Sequence, residues 1–243
     1  MKVDINIYIF KDMNNKIIAF TLFGQDIKYY VGAQKNVNLI NKLLPDWEIK
    51  IYYHDKNLNK DFINLINDLK CTLINVDIFQ DLFKKDLSDF PIPYFWRFIS
   101  FFDDNISIVR DLDSRISERE VKYIQRWLDN GKPYFVIRDH PWHSQYPAGL
   151  FGIKGNTKDF KNFMIDYINK KDDLRWGDDQ HILDEFMLEV NKDEIEYCGY
   201  DRSETYIRRE NPDFFIGIQL DENDKPTELG GVLGINHLKS MNL

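Results

Sequence analysis

Cysteine is scarce: the 243 residues hold only Cys71 and Cys198. Neither belongs to a metal-type or redox-type pair, which argues against a disulfide-stapled scaffold and leaves two buried thiols in a reducing compartment as the expectation. Long apolar runs are missing as well. No stretch approaches the length needed to span a bilayer, and residues 1–16 carry no signal-peptide pattern, so a cytoplasmic protein with no membrane span is expected. Positive charge is in deficit, with 32 Lys and Arg against 40 Asp and Glu and a net charge of −8. That balance excludes a general affinity for nucleic acid or anionic lipid, though not a local basic pocket for a phosphorylated ligand. Internal repeats, low-complexity tracts and domain linkers are also absent.

What is present is a globular composition, 43% hydrophobic and 15% aromatic, in a chain long enough to bury a substantial core as one domain. Residues 5–10 alternate as an extra edge strand would. Residues 17–23 read as the first buried strand, closed by Gly24, and 32–44 as an amphipathic helix ended by Pro45. Strand 47–54, helix 60–69 and strand 71–76 follow. Alternation of this kind predicts a parallel sheet with covering helices, a Rossmann-like half. Residues 77–93 are irregular, and 94–102 form an aromatic-rich helix containing Arg97. A guanidinium amid so much apolar surface needs an anionic partner, either a nearby aspartate or a phosphate.

The stretch Ile106-Ser-Ile-Val-Arg-Asp-Leu-Asp-Ser-Arg-Ile116 is the centre of the pattern. A buried strand at 106–109 ends in Asp111-Leu-Asp113, and Ser117 with Glu120 three positions later makes a capping box for a helix over 120–128. Two carboxylates one residue apart at a strand's carboxyl end can converge on one hard cation, Mg²⁺ or Mn²⁺, that bridges to phosphate oxygens. The alternative is a solvated turn, since aspartates crowd turns. Strands are expected next at 134–137 and 148–153, the latter with glycines that permit close backbone approach. A helix over 157–169, a helix over 181–190 and a strand at 195–198 complete the regular part. Residues 200–212 read as a polar loop, 214–220 as a last strand, 221–226 as a turn and 230–237 as a flexible tail.

Polar clusters at 110–115, 138–143 and 176–180, with His237, fall at strand ends or helix starts. A nucleotide half, an Asp-x-Asp and an acceptor half form the logic of a metal-dependent GT-A glycosyltransferase, in which a cation neutralises a diphosphate leaving group and a carboxylate takes the acceptor's proton. Asp179, with Asp178 second, is the candidate base; capping of the helix that follows is the competing role. His140 and His143 have a zinc-compatible spacing, but no third ligand lies nearby.

Several stretches together resemble the GT-A-fold glycosyltransferases of large DNA viruses, of the chlorella-virus and mimivirus type, and of some bacteria. They are Phe20-Thr-Leu-Phe-Gly24, Tyr29-Tyr-Val-Gly-Ala33, Pro45-Asp-Trp47, Trp96-Arg-Phe98, Arg110-Asp-Leu-Asp-Ser-Arg115, Glu118-Arg-Glu120, Arg138-Asp-His-Pro-Trp-His143 and Trp176-Gly-Asp-Asp-Gln180. The resemblance covers about residues 16–190. It implies a single α/β GT-A domain with a mixed central sheet, its nucleotide-binding half about 16–115 and its acceptor half about 116–243. It further implies a nucleotide-sugar donor, commonly UDP-linked, a glycan or glycoprotein acceptor, and Mn²⁺ or Mg²⁺ held by Asp111 and Asp113. In a viral setting the host cytoplasm would be the location.

On this reading Phe20, Thr21 and Gly24 lie near the base and ribose, with first-strand core the other reading of Phe20. Arg97 and Arg110 carry diphosphate charge or orient the aspartates, Asp111 also touches the ribose, and Arg115 forms a structural salt bridge beneath the site. Arg138, Asp139, His140 and His143 line the sugar and acceptor cleft, and His237 either reaches back as a further metal ligand or is a surface histidine of the tail. Inversion at the anomeric carbon is expected. The rival readings are a haloacid-dehalogenase-like phosphatase, which also uses an apolar strand followed by Asp-x-Asp but places it after the first strand of its fold, and a non-catalytic nucleotide-sugar-binding protein.

Overall fold

The computed structural model describes residues 15–155, 159–200, 206–209, 211 and 214–241. The possible edge strand at 5–10 and most of the polar loop at 200–212 lie outside the described residues. Seven strands form one sheet: β1 (Lys16–Gly24), β2 (Glu48–Leu58), β3 (Thr72–Asn75), β4 (Ile106–Arg110), β5 (Tyr134–Arg138), β6 (Leu150–Lys154) and β7 (Ile195–Gly199). Their order is β3-β2-β1-β4-β6-β5-β7, with only β6 antiparallel to its neighbours. This is the mixed sheet expected of a GT-A-type α/β fold.

β1 and β4 are central and buried, as a parallel strand covered on both faces must be, which explains their unbroken apolar runs. Alternate residues of β1 feed opposite cores. Ile17 and Ala19 pack with the aromatic segment, while Ile18, Phe20 and Leu22 pack with α1 (Ile27–Leu43) and α2 (Glu118–Asn130). Phe20 is therefore plain core, 1% exposed. Thr21 and Phe23 point to the other face, where the cleft lies.

The aromatic segment differs from expectation in type: Ile92–Phe101 is a 3-10 helix with every residue but Tyr94 buried. The segment expected as a helix over 60–69 is likewise a short 3-10 turn, Lys60–Leu65, with no buried residue to reward a longer helix. α2 begins as its sequence predicts, with Ser117 accepting a hydrogen bond from the Glu120 N–H at 3.3 Å, and it ends at Gly131 with φ 72°. The Glu120 carboxylate does not complete the capping box; it pairs with Arg110 Nε at 2.9 Å in the core. α3 (Phe160–Lys170) and α4 (Asp178–Phe186) cover the aromatic face.

The C-terminal part departs most from the sequence reading. Residues 214–220 are not a strand beyond a single bridge from Leu220 to Pro226. The stretch expected to be a flexible tail is helical: a π turn, Glu228–Val232, runs into α5 (Leu233–Ser240). Phe215, Ile218, Leu220, Ile235 and Leu238 make a small third core that holds this segment together. No helix among the described residues is long and apolar enough to cross a membrane.

Candidate active site

The register Phe20↔Arg110 between β1 and β4 brings Thr21 and Asp111 side by side where the pairing of the two strands ends. Strand order reverses at this point, β2 lying on one flank and β6 on the other, which opens a crevice at the carboxyl edge. A cleft of about 310 Å³ occupies it. Thr21, Phe23, Tyr29 and Tyr94 contribute from the first half of the chain, and Trp142, His143, Ser144, Trp176, Asp179, Gln180 and Gln219 from the second. Arg97, Asp111, Leu112 and Asp113 lie between.

Two glycines fix the Asp-x-Asp turn by letting backbone approach it. A Cβ on Gly32, in α1, would sit 2.0 Å from the Leu112 carbonyl oxygen, and one on Gly149 would sit 1.8 Å from Asp111 Oδ2. Asn36 completes the support from beneath, its amide donating to the Ser114 carbonyl at 2.8 Å and accepting from the Ile116 N–H at 3.1 Å. Arg115 donates to the Leu112 carbonyl at 2.9 Å and pairs with Asp224 at 3.0 Å, the structural role expected of it. Leu220 N–H donates to the Asp113 carbonyl at 2.7 Å, so the C-terminal segment is hooked to the same turn.

Charge is concentrated around Arg97, which is 5% exposed. Its Nη1 pairs with Asp111, and its Nη2 with Asp179 Oδ2 at 2.7 Å; its backbone N–H donates to Thr21 Oγ1 at 2.9 Å. Burial opposes the guanidinium charge, but Asp111 and Asp179 outweigh it and raise its pKa. Asp113 is in the opposite position. Burial and the neighbouring Asp111 push its carboxyl up to about 6, and Lys28, 3.8 Å away, compensates only in part. Asp179 is also raised, by burial and by Asp111 against the pull of Arg97.

Asp111, Asp113, Asp179, Arg97, Thr21 and His143 are thus brought together, while the other sequence candidates are placed elsewhere. Asp178 accepts from the Arg175 N–H at 2.7 Å and Lys171 Nζ at 2.8 Å, with His181 Nδ1 at 3.1 Å. Burial works against its charge, yet these bonds prevail and lower its pKa, so it anchors the start of α4 and does not line the cleft. Arg110 is spent on Glu120 and the Gly149 carbonyl inside the core. Gly24 takes φ 95° at the end of β1, a turn position outside the cleft.

In the 138–143 loop only Trp142 and His143 reach the cleft. Arg138 donates to the His143 carbonyl at 3.1 Å and lies over the Tyr200 ring. Asp139, 1% exposed, pairs with Arg119 and accepts from the Ile216 N–H at 2.7 Å. His140 Nδ1 accepts from the Trp142 N–H at 3.0 Å, which places its proton on Nε2, 3.0 Å from the Gly234 carbonyl. Asp139 and His140 brace the loop against the C-terminal segment, and Arg138 ties the loop's two ends together. Burial drives the His143 pKa down to about 3, keeping it neutral.

His237 does not approach the Asp-x-Asp. Because α5 is folded, its ring stacks on Trp142 at 5.0 Å, and no three His, Cys, Asp or Glu side chains among the described residues form a group able to hold a cation. Sequence reasoning assigned no role to Phe23, Tyr29, Tyr94, Ser144, Trp176, Gln180 and Gln219. Phe23, Tyr29, Trp176 and Gln180 stand inside the motifs, but only the fold shows which side chains of those motifs open into the cleft.

No family model and no curated protein matches the chain. Among solved structures it is similar to the galactosyltransferase LgtC in complex with donor and acceptor sugar analogs, at 16% identity over 75% of this chain and 73% of that one, with a TM-score of 0.41. It is similar also to 4-diphosphocytidyl-2C-methyl-D-erythritol synthase from Anaerococcus prevotii, at 9% identity over 94% of this chain and 100% of that one, TM-score 0.44. Both likenesses are of fold outline.

Proposed function

We propose that the protein is a divalent-metal-dependent glycosyltransferase that uses a nucleotide-sugar donor, UDP-linked, and transfers the sugar with inversion to a hydroxyl of a glycan or glycoprotein. The observation that carries this reading is the cluster at the β1–β4 edge, where Arg97 ties the half-exposed Asp111 to the buried Asp179 while Lys28 balances the charge of the buried Asp113 only in part. Two carboxylates suit Mg²⁺ or Mn²⁺, which take their remaining ligands from water and phosphate oxygens. When bound, such an ion would neutralise the diphosphate as it leaves. The donor set fits: a cation beside Asp113 would offset the burial and the repulsion from Asp111 that together lift its pKa.

Thr21, Phe23 and Tyr29 are the surfaces for the nucleoside, with the rings of Phe23 and Tyr29 stacked at 6.4 Å and Tyr94 edge-on to Phe23 at 4.9 Å. On this reading Asp179, whose pKa is raised by burial and which is paired with Arg97, accepts the proton of the acceptor hydroxyl. The acceptor oxygen then bonds to the anomeric carbon as that carbon's bond to the diphosphate breaks.

Calorimetric titration with UDP, GDP and their sugar conjugates, in Mn²⁺ and again in EDTA, tests the proposal. Metal-dependent binding of a uridine ligand, lost in Asp113→Ala, is the expected result. Absence of binding for every nucleotide with every metal would remove the transferase reading.

A further inference from the structure

Of the chain's five tryptophans, Trp47, Trp96 and Trp127 are buried, whereas Trp142 and Trp176 are 54% and 73% exposed and both line the cleft. An indole left in water forgoes a large burial term, so an exposed pair at a functional cleft marks a surface that something covers. Trp142 is exposed and yet held. Its ring lies on His237, 5.0 Å between centroids at 25°, and edge-on to His140 at 5.1 Å, and the Trp142 backbone N–H donates to His140 Nδ1. Trp176 precedes Gly177, whose φ of 91° turns the chain into α4 and sets the indole three residues before Asp179.

We propose that Trp142 and Trp176 form the acceptor platform, and that the acceptor is an uncharged saccharide whose pyranose rings lie against these two indoles. This rests on the transferase reading above and names the substrate for its acceptor side. The axial C–H face of a pyranose is apolar and complements an aromatic face, while its equatorial hydroxyls need hydrogen-bonding groups at the edge. Ser144, Gln180 and Gln219 supply neutral ones in the same cleft.

Charge selects the class of saccharide. Among the described residues lining the cleft, Arg97 is the sole cation, and Asp111 and Asp179 already engage it. Three carboxylates line the cleft, two paired with Arg97 and the third, Asp113, 3.8 Å from Lys28, and His143 is neutral, so a uronate or sialyl group would meet repulsion with no uncommitted lining cation to pair it. Trp142 and Trp176 line the same cleft as Asp179, the base assigned above.

The test is titration of the intact protein, followed by tryptophan fluorescence, with neutral oligosaccharides (lactose, maltose, cellobiose and chitobiose) and with sialyllactose as the acidic counterpart. Parent, Trp142→Ala and Trp176→Ala proteins are compared, with melting curves to confirm folding. At least one neutral sugar is expected to perturb the parent's emission saturably at millimolar concentration. Each substitution should weaken that binding by about tenfold or more, Trp142→Phe should retain most of it, and sialyllactose should bind more weakly than lactose. No response to any neutral sugar, or equal affinity in the folded alanine variants, overturns the platform. UDP titration in Mn²⁺ is a separate arm: saccharide binding without UDP binding would sink the nucleotide reading while leaving the platform standing. UDP binding without saccharide binding would do the reverse.

Discussion

Asp113 carries a carboxyl whose pKa burial and Asp111 raise to about 6. In the metal-free protein the folded state therefore binds this proton more tightly than the unfolded chain, so stability falls as pH rises from about 4 to about 6 and the deficit persists above. Asp113→Asn should raise stability at neutral pH by roughly 2 kcal/mol, a gain that vanishes toward pH 4; denaturant melts in EDTA at several pH values measure it. Arg97→Met should act in the other direction, costing about 3 kcal/mol because Asp179 would be left buried and unpaired. Asp179→Asn in the same chain should recover part of that loss, and the coupling is read from a double-mutant cycle. Gly149→Ala tests the close approach, since its Cβ would displace Asp111 Oδ2. It should weaken metal-dependent nucleotide binding by about tenfold or more, seen by calorimetry. The Asp-x-Asp pair was legible in the sequence because a buried strand must end in something polar. The partners of Arg97 were not, because Asp179 is 82 residues away and only the sheet edge brings it near.

Elements were legible where a local signal and a buried stripe coincide. α2 shows both: Ser117 opens it, Gly131 closes it, and Tyr123, Ile124 and Trp127 face the core. Gly131 at φ 72° has nothing within 4 Å of a Cβ, so Gly131→Ala should cost only the backbone penalty, about 1 kcal/mol. Thermal or urea unfolding measures it. Glu120 shows where local reading stops, because a buried Arg110 outcompeted the capping N–H for its carboxylate. The aromatic segment Ile92–Phe101 is wound as a 3-10 helix against the sheet, a choice that tertiary packing makes and propensity does not. The C-terminal stretch has few long apolar runs and two adjacent glycines, which read as a tail. It folds because Phe215, Ile218, Leu220, Ile235 and Leu238 find one another.

Across the molecule the two large cores lie on opposite faces of the sheet, and the third is a small satellite beside the cleft. Local stability follows buried contact, so β1 and β4 should show the slowest amide exchange and residues 214–241 faster exchange. Leu238→Ala should accelerate exchange in 214–241 while leaving β1 unchanged, as hydrogen-exchange mass spectrometry would show; acceleration in β1 as well would mean that the satellite and the main cores open together. The sequence by itself determined the order of the seven strands and of α1 to α4, the two-faced burial of β1 and β4, and the presence of Asp111 and Asp113 at a strand end. Periodicity and strand-end chemistry are local properties that a chain carries in any context. Only the tertiary structure decided that β6 runs antiparallel, that Arg97 joins Asp111 to Asp179, that Asp178, Asp139, His140 and His237 brace the site from outside the cleft, and that Trp142 and Trp176 face its solvent. Each of those depends on residues far apart in sequence meeting at one sheet edge, and that meeting is settled by how the cores pack.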